Sequence, residues 1–156
     1  MKQLYLTLLS SALLLGCATD KGDRYNVDIR WTSFGIPHVK AEDWGSLGYG
    51  FAYATASDGI CVFAREVARA NGSLSADFGM SDENLASDTF HRAIVTPAKV
   101  QENALVQSEN MRNYSAGFIA GYNRYIEDHS DSLPASCAGE AWVRTITELE
   151  LGKMFI

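Results

Sequence analysis

Basic charge is in deficit in this sequence: 13 Lys and Arg stand against 19 Asp and Glu in 156 residues, a formal charge of -6. No electrostatic footprint for a phosphate backbone follows, and nucleic acid is excluded as a partner. Proline is scarce at 3. With 47% hydrophobic and 21% charged residues the composition is that of a globular domain, neither a disordered tail nor a polytopic membrane protein. Cysteine and histidine number 3 each, and His38, His91 and His129 are scattered with no partner at ligand spacing, so no metal site is expected. A serine-hydrolase elbow is missing, because Ala56-Ser57-Asp58-Gly59 lacks the first glycine of Gly-x-Ser-x-Gly. Gly48-Tyr49-Gly50 begins like a dinucleotide fingerprint, but Tyr53 fills the third glycine's place and no apolar strand precedes it. There is also no P-loop, zincin helix or EF-hand loop.

What is present starts with an address. Residues 1–16 carry one charge, Lys2, and an apolar run over 4–15 that falls short of the roughly 20 residues of a bilayer-spanning helix. They are expected to be a secretion signal. The run closes on Leu14-Leu15-Gly16-Cys17, which is similar to a bacterial lipobox, so Cys17 is the expected lipidation site and first mature residue. The alternative is ordinary cleavage near Ala18. Residues 17–24 then form a tether, and the expected location is the periplasm, with or without a lipid anchor on a bacterial membrane. Cys61 and Cys137 remain, an even number in an oxidising compartment, and a disulfide between them is expected. The alternative is two buried free thiols.

Over 25–32 the sequence alternates, with Val27, Ile29 and Trp31 on one face and Asn26, Asp28 and Arg30 on the other. That is a half-buried strand, and 36–41 reads as its hairpin partner. Acidic Glu42 and Asp43 open a long helix or two abutting ones, crowded with small residues and closed by Asn71-Gly72. Residues 73–80 read as a loop and 81–90 as a short helix. Thr96-Pro97 is a helix start, after which Val100, Ala104, Ser108, Met111, Ser115, Phe118, Tyr122 and Tyr125 make one stripe, read as core, to about residue 128. Asp58 and Glu66 are expected to join Arg65 and Arg69 in an ion-pair lattice rather than a catalytic pair. His38 is expected to be a hydrogen-bonded structural histidine, with an acid or base role as the alternative. Thr147 with Glu150 is a capping box that starts a last helix. The sequence stops barely two turns later without an end signal, so the chain is expected to be a fragment cut in mid-helix.

The stretch from Ile29 through Gly35, Pro37 and His38 to Ala41 resembles the start of the α subunit in the penicillin acylase family. So do Gly48-Tyr49-Gly50-Phe51-Ala52, Asp58, Asn71-Gly72, Phe78-Gly79 and Trp142-Val143-Arg144, which follow in family order. The branch most similar contains the acyl-homoserine lactone and aculeacin-type acylases, and cysteines near 61 and 137 are part of that likeness. The resemblance implies that 25–156 is an incomplete acylase α-subunit domain, mainly α with a short N-terminal β-hairpin, part of an αββα N-terminal nucleophile hydrolase in the full precursor. Gly35, Pro37, His38, Gly48, Gly50, Asp58 and Trp142 would be structural motif residues. It implies a β subunit cut from the same precursor and an N-acyl amide as substrate. The nucleophilic serine and the acyl pocket would lie outside this chain, with no cofactor here and calcium held mainly by the β chain. The alternative function is a small non-catalytic surface lipoprotein, a binding or structural module.

Overall fold

The computed structural model describes residues 24–156. The leader, Cys17 and all of the tether except Arg24 lie outside the described residues. Strands β1 (Val27–Trp31) and β2 (Pro37–Ala41) pair antiparallel, Val27 with Ala41, Ile29 with Val39 and Trp31 with Pro37. The alternation expected over 25–32 holds for Val27 and Ile29, which are half-buried between exposed Asp28 and Arg30, whereas Trp31 beside the turn is exposed. The turn is organised by Thr32, whose Oγ1 accepts from the backbone N–H of Phe34 and Ile36 at 3.3 and 3.1 Å. Gly35 takes a positive φ of 78° there, a conformation that favours glycine.

Helix α1 (Trp44–Ala70) opens on Asp43, whose carboxylate accepts from the Ser46 N–H at 2.8 Å, satisfying an otherwise orphan first-turn donor. It breaks at Gly59, where φ and ψ of -162° and 51° interrupt the helix, so of the two readings the sequence left open the structure takes the second, two abutting segments. Asn71 and Gly72, the latter at φ 65°, close it.

Three expectations need correction. Residues 73–80 are not all loop, because Leu74–Phe78 forms a short helix, α2. Its first N–H groups donate to Asp88, 2.8 Å from both Leu74 and Ser75, so the cap comes from far along the chain rather than from a local signal. The helix read over 81–90 runs one turn further, as α3 (Asp82–Ile94). The single helix read from Thr96 to about 128 is two, α4 (Pro97–Val106) and α5 (Glu109–Asp128). Gln107 and Ser108 are extended, and the Ser108 hydroxyl caps α5 by accepting from the Met111 N–H at 3.2 Å.

The second half of the stripe is core as expected. Phe118, Tyr122 and Tyr125 pack with Ala52, Ala56, Ile60 and Val67 of α1 and with Ile146 and Leu151. Helices α1 and α5 run side by side so closely that glycine is required: a Cβ on Gly48 would stand 2.1 Å from the Tyr114 carbonyl oxygen, and one on Gly121 2.0 Å from that of Tyr49. The segment between α5 and the last helix is irregular and is tied to α1 by a Cys61–Cys137 disulfide, Cα atoms 5.7 Å apart. Helix α6 (Glu148–Lys153) carries the capping box read from the sequence, Thr147 and Glu150 bonding reciprocally. No helix among the described residues is long and apolar enough to cross a membrane.

Candidate functional site

The residues singled out in the sequence are mostly packing elements. Pro37 opens β2 opposite Trp31; His38 next to it pairs in register with Arg30 but is exposed on the outer side of the strand, with no side-chain hydrogen bond among the described residues, so the expected hydrogen-bonded histidine is not found. Gly48 faces the α5 backbone, while Gly50 faces the hairpin, where a Cβ would stand 2.4 Å from Val27 Cγ2 and 2.8 Å from Val39 Cγ1. The Gly48-Tyr49-Gly50 run therefore lets one helix touch a second helix and a sheet at once. Trp142 is half-buried with its ring 4.8 Å from Phe78, and the Arg65 guanidinium lies 5.1 Å over that same ring. The expected ion-pair lattice is reduced to Arg69 with Glu66. Arg65 is drawn to Phe78 instead, and Asp58 is exposed with no ion pair among the described residues. No hydrogen bond or ion pair joins His38, Asp58 and Trp142.

Two arrangements that the sequence did not announce stand out. The first is a groove of about 720 Å³ between α4, α5 and α6, floored by Val100, Ala104, Ile119 and Leu151 and bordered by Arg112 and Glu127. Its size is that of a ligand cleft. It holds one serine, Ser115, and neither histidine nor cysteine, so its lining offers contact surface rather than a nucleophile beside a base.

The second is a polar hub at Glu150. One carboxylate oxygen accepts from Arg144 Nη2 at 2.5 Å and Asn71 Nδ2 at 3.1 Å, and the other from the Thr147 N–H and Oγ1, both at 2.9 Å. Lys153 Nζ donates to Asn71 Oδ1 at 2.8 Å, completing the link from α6 to the end of α1. The Glu150 side chain is only 12% exposed. Burial pushes its carboxyl upward, but the donors from Arg144 and Thr147 outweigh that and hold it at about 2. Beside the hub, Tyr122 Oη is buried without a partner among the described residues, and burial raises that phenol well above its usual value, so it stays neutral. The capping box gave the Thr147 half of this hub away; Asn71 was legible as a helix end and Arg144 as part of a motif, but nothing in the sequence joined either to Glu150.

Among the described residues no group of three or more His, Cys, Asp or Glu could hold a metal ion. They do not fit a calcium centre of their own.

The sequence model described as penicillin amidase matches residues 26–151. The chain belongs to the penicillin amidase family. It is similar to the acyl-homoserine lactone acylase PvdQ of Pseudomonas fluorescens strain Pf0-1, 38% identical over 158 residues, covering 97% of this chain and 20% of that protein. To the aculeacin-A acylase of Actinoplanes utahensis it is 37% identical over 141 residues, covering 81% of this chain and 18% of the relative. Among solved structures, the thermostable penicillin G acylase from Alcaligenes faecalis superposes with a TM-score of 0.72 at 26% identity, over 83% of this chain and 70% of that one. The chain thus spans about a fifth of the length of the curated relatives it matches. The helical body with an N-terminal hairpin is a family architecture, and the glycine, proline and tryptophan positions above are where this member builds it.

Proposed function

We propose that this chain is the N-terminal, α-chain portion of an acylase that hydrolyses the amide bond of N-acyl substrates such as acyl-homoserine lactones, lipopeptides or β-lactam side chains. One observation carries the reading. The same segment covers a fifth of the curated acylases but 70% of a chain in the solved penicillin G acylase, so in that enzyme it corresponds to a separate polypeptide of similar size. A precursor cut into a short first chain and a long second one accounts for both figures.

In this reading the reacting groups belong to the β chain. Its N-terminal serine attacks the substrate carbonyl, and the serine's own α-amino group takes the hydroxyl proton. An α-amino pKa of about 7.7–8.0 suits that task near neutral pH. That protonated α-amino group gives its proton to the leaving nitrogen as the tetrahedral species collapses, so the amine departs neutral and leaves an acyl-enzyme, which water hydrolyses to release the acid. The described residues brace that machinery, and calcium, where the full enzyme uses it, is held by residues outside this chain. Export to the periplasm follows from residues 1–16, and a lipid on Cys17 would hold the enzyme at a membrane surface.

The test is expression of the complete reading frame and incubation with a long-chain N-acyl homoserine lactone, a lipopeptide and penicillin G. Cleavage of the precursor into two chains, with release of equal amounts of free acid and free amine from at least one substrate, is the expected result. An uncut polypeptide that leaves all three intact overturns the reading. Intact-mass measurement of the mature protein checks the anchor separately: a diacylglyceryl group on Cys17 is expected, and a start near Ala18 without lipid rejects it.

A further inference from the structure

We infer that Asn71 is a latent deamidation site, attacked by the backbone nitrogen of Gly72 and held unreactive by the docking of α6 on the end of α1. Asn71-Gly72 is the one place in the sequence where asparagine precedes glycine. A following residue without a Cβ leaves its backbone nitrogen free to fold back on the side-chain carbonyl carbon. Neither residue is incidental. Gly72 stands at φ 65°, and a Cβ on it would meet Arg92 Cγ at 2.7 Å and the Asp88 carbonyl oxygen at 3.1 Å, so the position is reserved for glycine. Asn71 is the residue through which α1 reaches α6: its Nδ2 donates to Glu150 and its Oδ1 accepts from Lys153, a pairing that needs a donor and an acceptor on one short side chain. The fold therefore keeps a chemically weak pair at a joint.

The reaction needs only water. The Gly72 nitrogen gives up its proton and bonds to Asn71 Cγ, the Cγ–Nδ2 bond breaks, and Nδ2 leaves with that proton as ammonia, closing a succinimide ring. Water then breaks one of the ring's carbon–nitrogen bonds. Opening at the side-chain carbonyl gives aspartate, and opening at the main-chain carbonyl gives isoaspartate. In the folded chain each reactant is occupied. The Gly72 N–H donates to the Arg69 carbonyl at 2.9 Å and the Ser73 N–H to that of Ala68 at 3.0 Å, while the Gly72 carbonyl accepts from Arg92 Nε at 2.7 Å. The attacking nitrogen is thus pinned on the helix end. The amide that must depart is held from both sides, Nδ2 at 3.1 Å from Glu150 and Oδ1 at 2.8 Å from Lys153. Cyclisation accordingly waits for α6 to lift and the last turn of α1 to open. Neither product carries Nδ2, so the tie to Glu150 is not remade and a reversible opening becomes a permanent one.

The experiment incubates the full-length protein, purified from its native host, in mildly alkaline buffer and follows the peptide containing Asn71 by mass spectrometry with isoaspartate detection. The same protein unfolded in denaturant is the reference. The folded protein is expected to convert about tenfold or more slowly than that reference, with isoaspartate among the products. Equal rates overturn the protection, and aspartate without isoaspartate overturns the attack by Gly72. Lys153→Met removes the donor to Asn71 Oδ1 and keeps an aliphatic stem of similar length. It is expected to raise the folded rate about fivefold or more, with Lys153→Arg close to the native rate. A Lys153→Met protein that is folded by near-ultraviolet circular dichroism and converts at the native rate overturns the part given to α6. A second measurement needs no variant. In urea below the unfolding transition, conversion should rise in step with hydrogen exchange of the Leu151 amide, which donates to the Thr147 carbonyl in the first turn of α6. Conversion that stays flat while that amide exchanges faster overturns the inference as well. Each of these readouts is independent of acylase activity.

Discussion

A Cβ placed on Gly117 would stand 1.8 Å from the carbonyl oxygen of Gly45, so α1 and α5 meet there main chain to main chain. That contact lies in the same seam as Gly48 and Gly121. Substitution with alanine forces the helices apart or breaks their hydrogen-bonded geometry. Gly117→Ala should therefore cost about 3 kcal/mol or more of unfolding free energy, although alanine is the better helix former by about 1 kcal/mol. Equilibrium denaturation of the purified variant checks this, and an unchanged or raised midpoint contradicts it.

Glu150 gives a pH prediction with a definite sign. Its carboxyl is held at about 2 in the folded chain against an ordinary 4.5, a depressed value, so its contribution is fully present above pH 4.5 and is lost as pH falls toward 2. The loss is about 3 kcal/mol at most. A plot of unfolding free energy against pH should fall through that window in the native sequence and fall less in Glu150→Gln. Parallel curves would show that the hub contributes nothing.

Much of the fold was legible because its signals are local. Asp43, Thr96-Pro97 and the Thr147 to Glu150 box each mark a helix start within four residues, and each is where a helix begins. The break at Gln107 and Ser108 was hidden, since Ala104, Ser108 and Met111 continue the three-and-four spacing straight across it. Helix α2 was invisible for the opposite reason: its cap, Asp88, lies 14 residues beyond the donor at Leu74. At the candidate site, Gly48, Gly50 and Pro37 stand out in the sequence only by resemblance, and their packing role emerges with their neighbours in place. The groove between α4 and α6 joins segments too far apart in sequence for any pattern to reveal.

Asp88 is a buried carboxylate serving two backbone donors, which hold its pKa below the usual carboxylate value against the opposing effect of burial. Asp88→Ala leaves both N–H groups without that acceptor and should destabilise by about 1–3 kcal/mol. Hydrogen exchange gives a local reading: the amides of Leu74 and Ser75 should lose protection before those of α5. Uniform exchange across the molecule would argue against the capping role.

The disulfide closes a separation of 76 residues, which in the chain-entropy model corresponds to about 4 kcal/mol of unfolded-state constraint. The double variant Cys61→Ala, Cys137→Ala should show a loss of that order, and reduction of the native protein should approach the same midpoint. Reagent titration of the unreduced, unfolded native protein should detect neither of these thiols. Two reactive thiols there would refute the bridge.

The seam between α1 and α5 behaves as a ruler. Side-chain interfaces can absorb a change of volume by shifting rotamers, but two backbones in direct touch have nothing to give. As sequences diverge around this pair, adaptation to new neighbours must be taken up by the rings of Phe51, Phe63 and Tyr114, while the inter-axial distance stays frozen.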